Sequence, residues 1–148
     1  WRFLHLKRKR LSVNRNQHNL MTQSPKQSDR PFHLIGELIN NSFARARRAW
    51  IARDLSGYQK LARLQTELGA SALTFNLDGT QKLHVRPEEM IEFIPELVPA
   101  IQEVSTLPLA FDNPWIDFHR TCLEVYDSQK SGPAIFNSDA GPTRHAVS

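Results

Sequence analysis

Cysteine is nearly missing from this 148-residue chain: Cys122 stands alone, which excludes any internal disulfide framework. A single thiol fits a reducing compartment, and a cytoplasmic location is expected. Glycine is scarce at six residues, and neither a phosphate-cradling Walker loop nor a dinucleotide glycine motif occurs. There is no Gly-x-Ser-x-Gly elbow and no Ser–His–Asp order, so acyl transfer through an activated serine has no apparatus. None of the six histidines is paired at ligand spacing, and no metal site is expected. No apolar run approaches the ~20 residues that cross a bilayer, so a membrane is not an expected partner.

Acidic residues are absent from positions 1–20, which hold Arg2, Lys7, Arg8, Lys9, Arg10 and Arg15. Removing those six from the chain's 19 cations leaves 13 against 15 acids, so the net charge of +4 belongs to the head and not to the body. The head lacks periodicity and precedes Met21, which reads as the biological start. Residues 1–30 are therefore expected to be a leader or non-native head outside the fold, with an organelle-targeting segment and a basic nucleic-acid arm as rival readings. Without an aromatic platform or a recognised binding fold, nucleic acid is not an expected partner.

What the body does have is alternation. An apolar run over 33–40 reads as a strand, and the basic, amphipathic "ARARRAWIARD" that follows reads as helical. In "LSGYQKLARLQTELGA", Tyr58, Leu61, Leu64 and Leu68 recur every three or four residues. Asp54 or Ser56 is placed to cap the start, and Gly69 sits where a helix ends. A strand at 71–76 precedes a polar loop, and Pro87-Glu88-Glu89 opens another helix. Pro95 and Pro99 predict that this helix kinks or splits. A strand at 107–112, a helix after Pro114 carrying Trp115, Phe118, Cys122 and Tyr126 on one face, and a strand at 133–137 complete the pattern.

Strand–helix repetition with near-continuous apolar strands predicts a parallel sheet covered by helices, an α/β fold. Each strand stops on amides or carboxylates: "HLIGELINN", "SALTFNLDG", "LPLAFDNPW" and "PAIFNSDAG". In a parallel sheet those ends share one edge, where β/α barrels build their active sites. Asn and Asp side chains bond planar amide and amidine edges in pairs. Asp112, with Asn76 and Asn137, therefore suits a 2-amino-4-oxo heterocycle such as a pterin.

The same four segments resemble those of a known superfamily. "HLIGELINNSF" resembles the "GERIN" opening of pterin-binding methyltransferases, and "YQKLARLQTELGASALTFNLDG" their helix-to-strand segment "GAxxLDxNxG". "LPLAFDNPW" and "PAIFNSDAG" are similar to their third strand, ending "DS", and fourth, ending "INS". The best match is methyltetrahydrofolate:corrinoid methyltransferase, over residues 32–141. The resemblance implies a partial (β/α)8 TIM barrel of about four βα units, the N-terminal half of a pterin-binding barrel over 31–148. It implies transfer of the N5 methyl group of methyltetrahydrofolate, the substrate, to the cobalt of a cobalamin carried by a partner corrinoid protein. It assigns pterin contacts to Asp112, Asn137, Asn76, Asn40 and Glu37, with Asn113 and Ser138 beside them. Two positions depart from the family: Leu38 replaces the arginine of "GERIN", and Thr74 replaces the aspartate of "LDxN".

Other readings of the same residues stand alongside. Asp112 or Asn113 would cap the helix at Pro114. Asn76 with Asp78 and Gly79, and Asn137 with Ser138, would make turns. Glu37 would serve a structural hydrogen bond, and Cys122 would be a small buried hydrophobe. A barrel needs eight strands, so a four-strand piece is expected to have little activity alone and raw edges open to a second copy, as in a homodimer. A dihydropteroate synthase relative and a non-enzymatic half-barrel assembly module are the alternative functions.

Overall fold

The computed structural model describes residues 33–137. The basic head, including Met21, lies outside the described residues, as do Ser138 and the tail. Four strands, β1 (Ile35–Gly36), β2 (Ala72–Phe75), β3 (Leu109–Phe111) and β4 (Ile135–Phe136), form one sheet in the order 1-2-3-4. Every pairing is parallel. Five helices intervene: α1 (Ala44–Ala52) and α2 (Leu55–Glu67) after β1, α3 (Pro87–Val104) after β2, and α4 (Ile116–Val125) with the short α5 (Ser128–Ser131) after β3.

The register explains which face is the core. Leu73 pairs with Gly36 and Leu109, and Phe75 with Phe111. Their side chains join Tyr58, Leu61, Phe93, Ile94, Leu97, Ile101 and Phe118 in one buried cluster between sheet and helices. Phe75 packs its ring on both Phe111 and Phe118 at centroid distances of 6.0 and 5.7 Å. Side chains alternate across a strand, so the opposite face carries the small series Ala72, Thr74 and Ala110.

Helix ends follow local chemistry. Asp54 accepts from the Gly57 N–H and from the Ser56 hydroxyl, and Gly69 takes the positive φ of 86° that ends α2. At α3 the Glu89 carboxylate reaches back to the Arg86 N–H.

α3 is a single 18-residue helix with Pro95 and Pro99 inside it, so of the two expected outcomes the split does not occur. Both prolines are exposed. The carbonyls left without an N–H four residues on, those of Ile91 and Pro95, therefore belong to the solvent-facing turns, where water receives them. The inner face, from Met90 to Ile101, stays apolar and holds the helix on the sheet. Trp115 was expected to pack but is 47% exposed, because it sits at the N-cap of α4 and not within it.

Candidate functional site

The strand ends meet in one row. Asn40 bridges to Asn76. Extending the pairs Phe75–Phe111–Phe136 by one residue sets Asn76, Asp112 and Asn137 side by side. The last rungs of the ladder fix this alignment: Asn76 N–H donates to the Ile39 carbonyl, Asp112 N–H to Phe75 and Asn137 N–H to Phe111, at 3.0–3.1 Å. Neighbouring parallel strands stand about 4.8 Å apart, so the four positions span about 14 Å at the C-terminal edge. Across the row, the Asn76 amide donates to the Asp112 carboxylate at 3.1 Å.

β1 reaches the row through a bulge. Gly36 pairs with Leu73 and Asn40 with Asn76, leaving three residues, 37–39, opposite two. The N–H of Leu38, freed by the bulge, donates to Gln65 Oε1 of α2 at 2.7 Å. Gln65 is buried and anchors its own amide nitrogen on the Leu61 carbonyl. A Cβ at Gly36 would come 2.5 Å from that oxygen, so a larger residue there would displace the Gln65 amide.

The amide oxygens of the row have a second occupation. Asn40 Oδ1 accepts from Ser42 N–H, Asn76 Oδ1 from Asp78 N–H, and Asn113 Oδ1 from Trp115 N–H, each two residues on. These are Asx turns. Turn chemistry thus accounts for part of the abrupt stops after each apolar run. Asp112 differs: its carboxylate accepts from across the sheet and no local turn uses it.

The sequence-assigned residues sort accordingly. Asn40, Asn76, Asp112 and Asn137 are brought together. Asn113 is fully buried one residue below the row, its amide held by Asp78 and near the Met90 sulfur, so it pins the loops. Glu37 is exposed within the bulge, outside the row, and Ser138 lies outside the described residues. Asn137 is exposed at the edge formed by β4. Leu38 packs against the core cluster, where an arginine would need a partner.

Two further residues stand out in three dimensions, Thr74, noted above as a departure from the family pattern, and His119. Thr74, two positions before Asn76 and on the same sheet face, is 2% exposed, and its hydroxyl has no partner. The period-two spacing of Thr74 and Asn76 was the signal available in the sequence. His119 is buried, with Nε2 2.7 Å from the Asn113 carbonyl. A carbonyl only accepts, so Nε2 carries the hydrogen and Nδ1 is left unpartnered. Its neighbours are aromatic rings, Phe118 at 5.7 Å and Phe136 at 5.0 Å, and no cluster able to hold a metal occurs among the described residues.

No family model matches the chain, and no curated protein matches it. No helix among the described residues is long and apolar enough to cross a membrane.

Proposed function

We propose that the row at the C-terminal edge binds the pterin ring of methyltetrahydrofolate and presents its N5 methyl group to a corrinoid protein. One observation carries the reading. Asn40, Asn76, Asp112 and Asn137 come from four adjacent parallel strands and line one edge, with the Asn76 amide on the Asp112 carboxylate. Asp112 keeps acceptor capacity for a ring N–H and an exocyclic amine, a bidentate match to one edge of a pterin. The Thr74 hydroxyl, unpartnered on the same sheet face, offers one more donor or acceptor. The resemblance of the strand-end segments supplies the reaction and the barrel architecture.

In that role the chain acts by position. N5 is a poor leaving group, so transfer needs a hydrogen bond or proton supplied to N5 and a fixed approach to the cobalt. Amides and one carboxylate suit orientation. No nucleophile is required of this chain: the reduced cobalt of the partner would supply the electron pair that takes the methyl group, and the N–C bonding pair would leave on N5 with its proton.

Calorimetric titration of methyltetrahydrofolate into the chain and into Asp112→Asn tests the reading. Saturable binding that weakens at least about tenfold in Asp112→Asn, a loss of about 1.4 kcal/mol, supports it. Equal affinity in both proteins, or none in either, contradicts it.

A further inference from the structure

The helical layer carries a groove and a ridge that match each other. On α1, Arg45, Arg48, Ala49 and Ala52 repeat at the spacing of Gly57, Lys60, Leu61 and Leu64 on α2, and the two sets line one open groove of about 510 Å³. Residues at i, i+3, i+4 and i+7 form a single helix face. Two such faces therefore meet as an apolar floor with a rim of three cations and one carboxylate, Asp54, which lies near Lys60. Arg45, Arg48 and Lys60 are exposed, and neither arginine has an ion pair among the described residues. Like charges one turn apart repel, and the groove's carboxylate, Asp54, forms no ion pair with either arginine among the described residues, so the Arg45–Arg48 pair gains from a further anion that faces it.

The opposite pattern stands on α3, which packs beside α2 through Gln59, whose amide reaches the Ala100 carbonyl and the Glu103 carboxylate. α3 contains no Lys, Arg or His. At about 100° per residue, Glu88, Glu92, Glu96 and Glu103 fall with Pro95 and Pro99 inside one arc of about 100°. All six are exposed. The two proline rings form apolar knobs one turn apart, flanked by carboxylates, of which Glu92 and Glu96 border a small hollow shared with Arg53. The carbonyls of Ile91 and Pro95, deprived of helical N–H partners, add acceptors that arginine can use.

We infer that the α1–α2 groove is the docking site for α3 of a second copy of this chain. The prolines meet the floor of Ala49, Ala52, Leu61 and Leu64, while Glu92 and Glu96 meet Arg45, Arg48 and Lys60. Groove and ridge lie side by side in one layer, so a two-fold axis running along the helices between them sets each groove on the other copy's ridge. The contact forms twice and closes on itself. One groove alone is small against the about 1,200 Å² in total at which stable interfaces begin. The association is accordingly weak, reversible and governed by rim charge, and it leaves the C-terminal strand edge free.

Sedimentation velocity on the full chain tests this at about 0.05 M and about 1 M salt, where the screening length falls to about 3 Å. A dimer at low salt that dissociates at high salt is expected. Arg48→Glu alone and Glu96→Arg alone should each weaken it about tenfold. An equimolar mixture of the two variants should recover a heterodimer, because one of its two contacts keeps the native charges and the other has them exchanged, so both are again opposite. A folding defect cannot produce that recovery. A monomer at both salts up to about 100 µM, a concentration that detects any contact tighter than about −5.5 kcal/mol, overturns the inference. So does a dimer indifferent to both substitutions. Binding of a glutamate-rich helical peptide to a chain that stays monomeric would keep the groove but overturn its assignment to a second copy.

Discussion

Gly36→Ala tests how β1 is set against α2, and through it how Asn40 reaches the row. The added methyl group would stand 2.5 Å from Gln65 Oε1 and 2.9 Å from Gln65 Cδ, well inside contact distance. The backbone at Gly36 is in the ordinary extended region, so the cost is steric and not conformational. Gln65 can yield only by swinging its amide away, which strands the Leu38 N–H that it accepts at 2.7 Å. A buried donor left unpaired costs about 1–3 kcal/mol, and overpacking costs a similar amount. Gly36→Ala should therefore lower the free energy of urea unfolding by about 2 kcal/mol. In a Gln65→Ala background the clashing amide and the bond are both already gone. Only the approach to the Gln65 Cβ at 3.1 Å remains, and the same substitution should cost under about 1 kcal/mol. The cycle then gives a coupling of at least about 1 kcal/mol. Equal costs in the two backgrounds would refute the account of the bulge.

The remaining predictions concern titration. Asp54 is held below its ordinary value of 3.8, first by the Ser56 hydroxyl and then by the Gly57 N–H. Glu89 is held below 4.5 by the Arg86 N–H and guanidinium. A carboxylate whose folded value is depressed contributes stability above its unfolded value and loses it as pH falls through the folded one. Thermal midpoints should thus be steady above pH 4.5 and decline below it, and Asp54→Asn should remove part of that decline. Burial pushes the Cys122 thiol up from 9.0 and the Tyr58 phenol up from 10.0. Groups raised on folding contribute stability that fades as pH climbs past their unfolded values, so alkaline unfolding should set in above about pH 9. Cys122 should react with a thiol reagent at pH 8 only as fast as the chain unfolds; rapid labelling of the folded protein would contradict its burial.

Much of the fold was legible because period and punctuation agreed. Asp54, Gly69 and Pro87 mark helix ends in the sequence and do so in the structure. The strand cores at 72–75 and 109–111 lie inside the apolar runs. The split expected as one outcome at Pro95 and Pro99 does not occur, because the hydrogen bonds they remove lie on the exposed side of the helix. The β1 run read as an eight-residue strand, yet the ladder is broken by a bulge whose partner, Gln65, is 27 residues away. No local pattern announces such a contact. At the site, the alignment of Asn76, Asp112 and Asn137 followed from parallel pairing alone, whereas that of Asn40 depends on the bulge. The division between row and helix side, which buries Asn113, needed the register. That Asn76 serves an Asx turn as well was present in the sequence as turn chemistry beside Asp78 and Gly79, whereas the same role of Asn40 appears only in the structure.

The central claim is that a flat, nitrogen-rich ring lies against the row at the strand ends. The most direct measurement is a nuclear magnetic resonance titration with methyltetrahydrofolate that follows the side-chain amide signals of Asn40, Asn76 and Asn137, assigned by single substitutions. The account predicts saturable shifts in all three, with the Asn76 signal moving most, because its amide shares the Asp112 carboxylate with the ring. Unmoved row signals at saturating ligand, or shifts confined to the groove between α1 and α2, would contradict it.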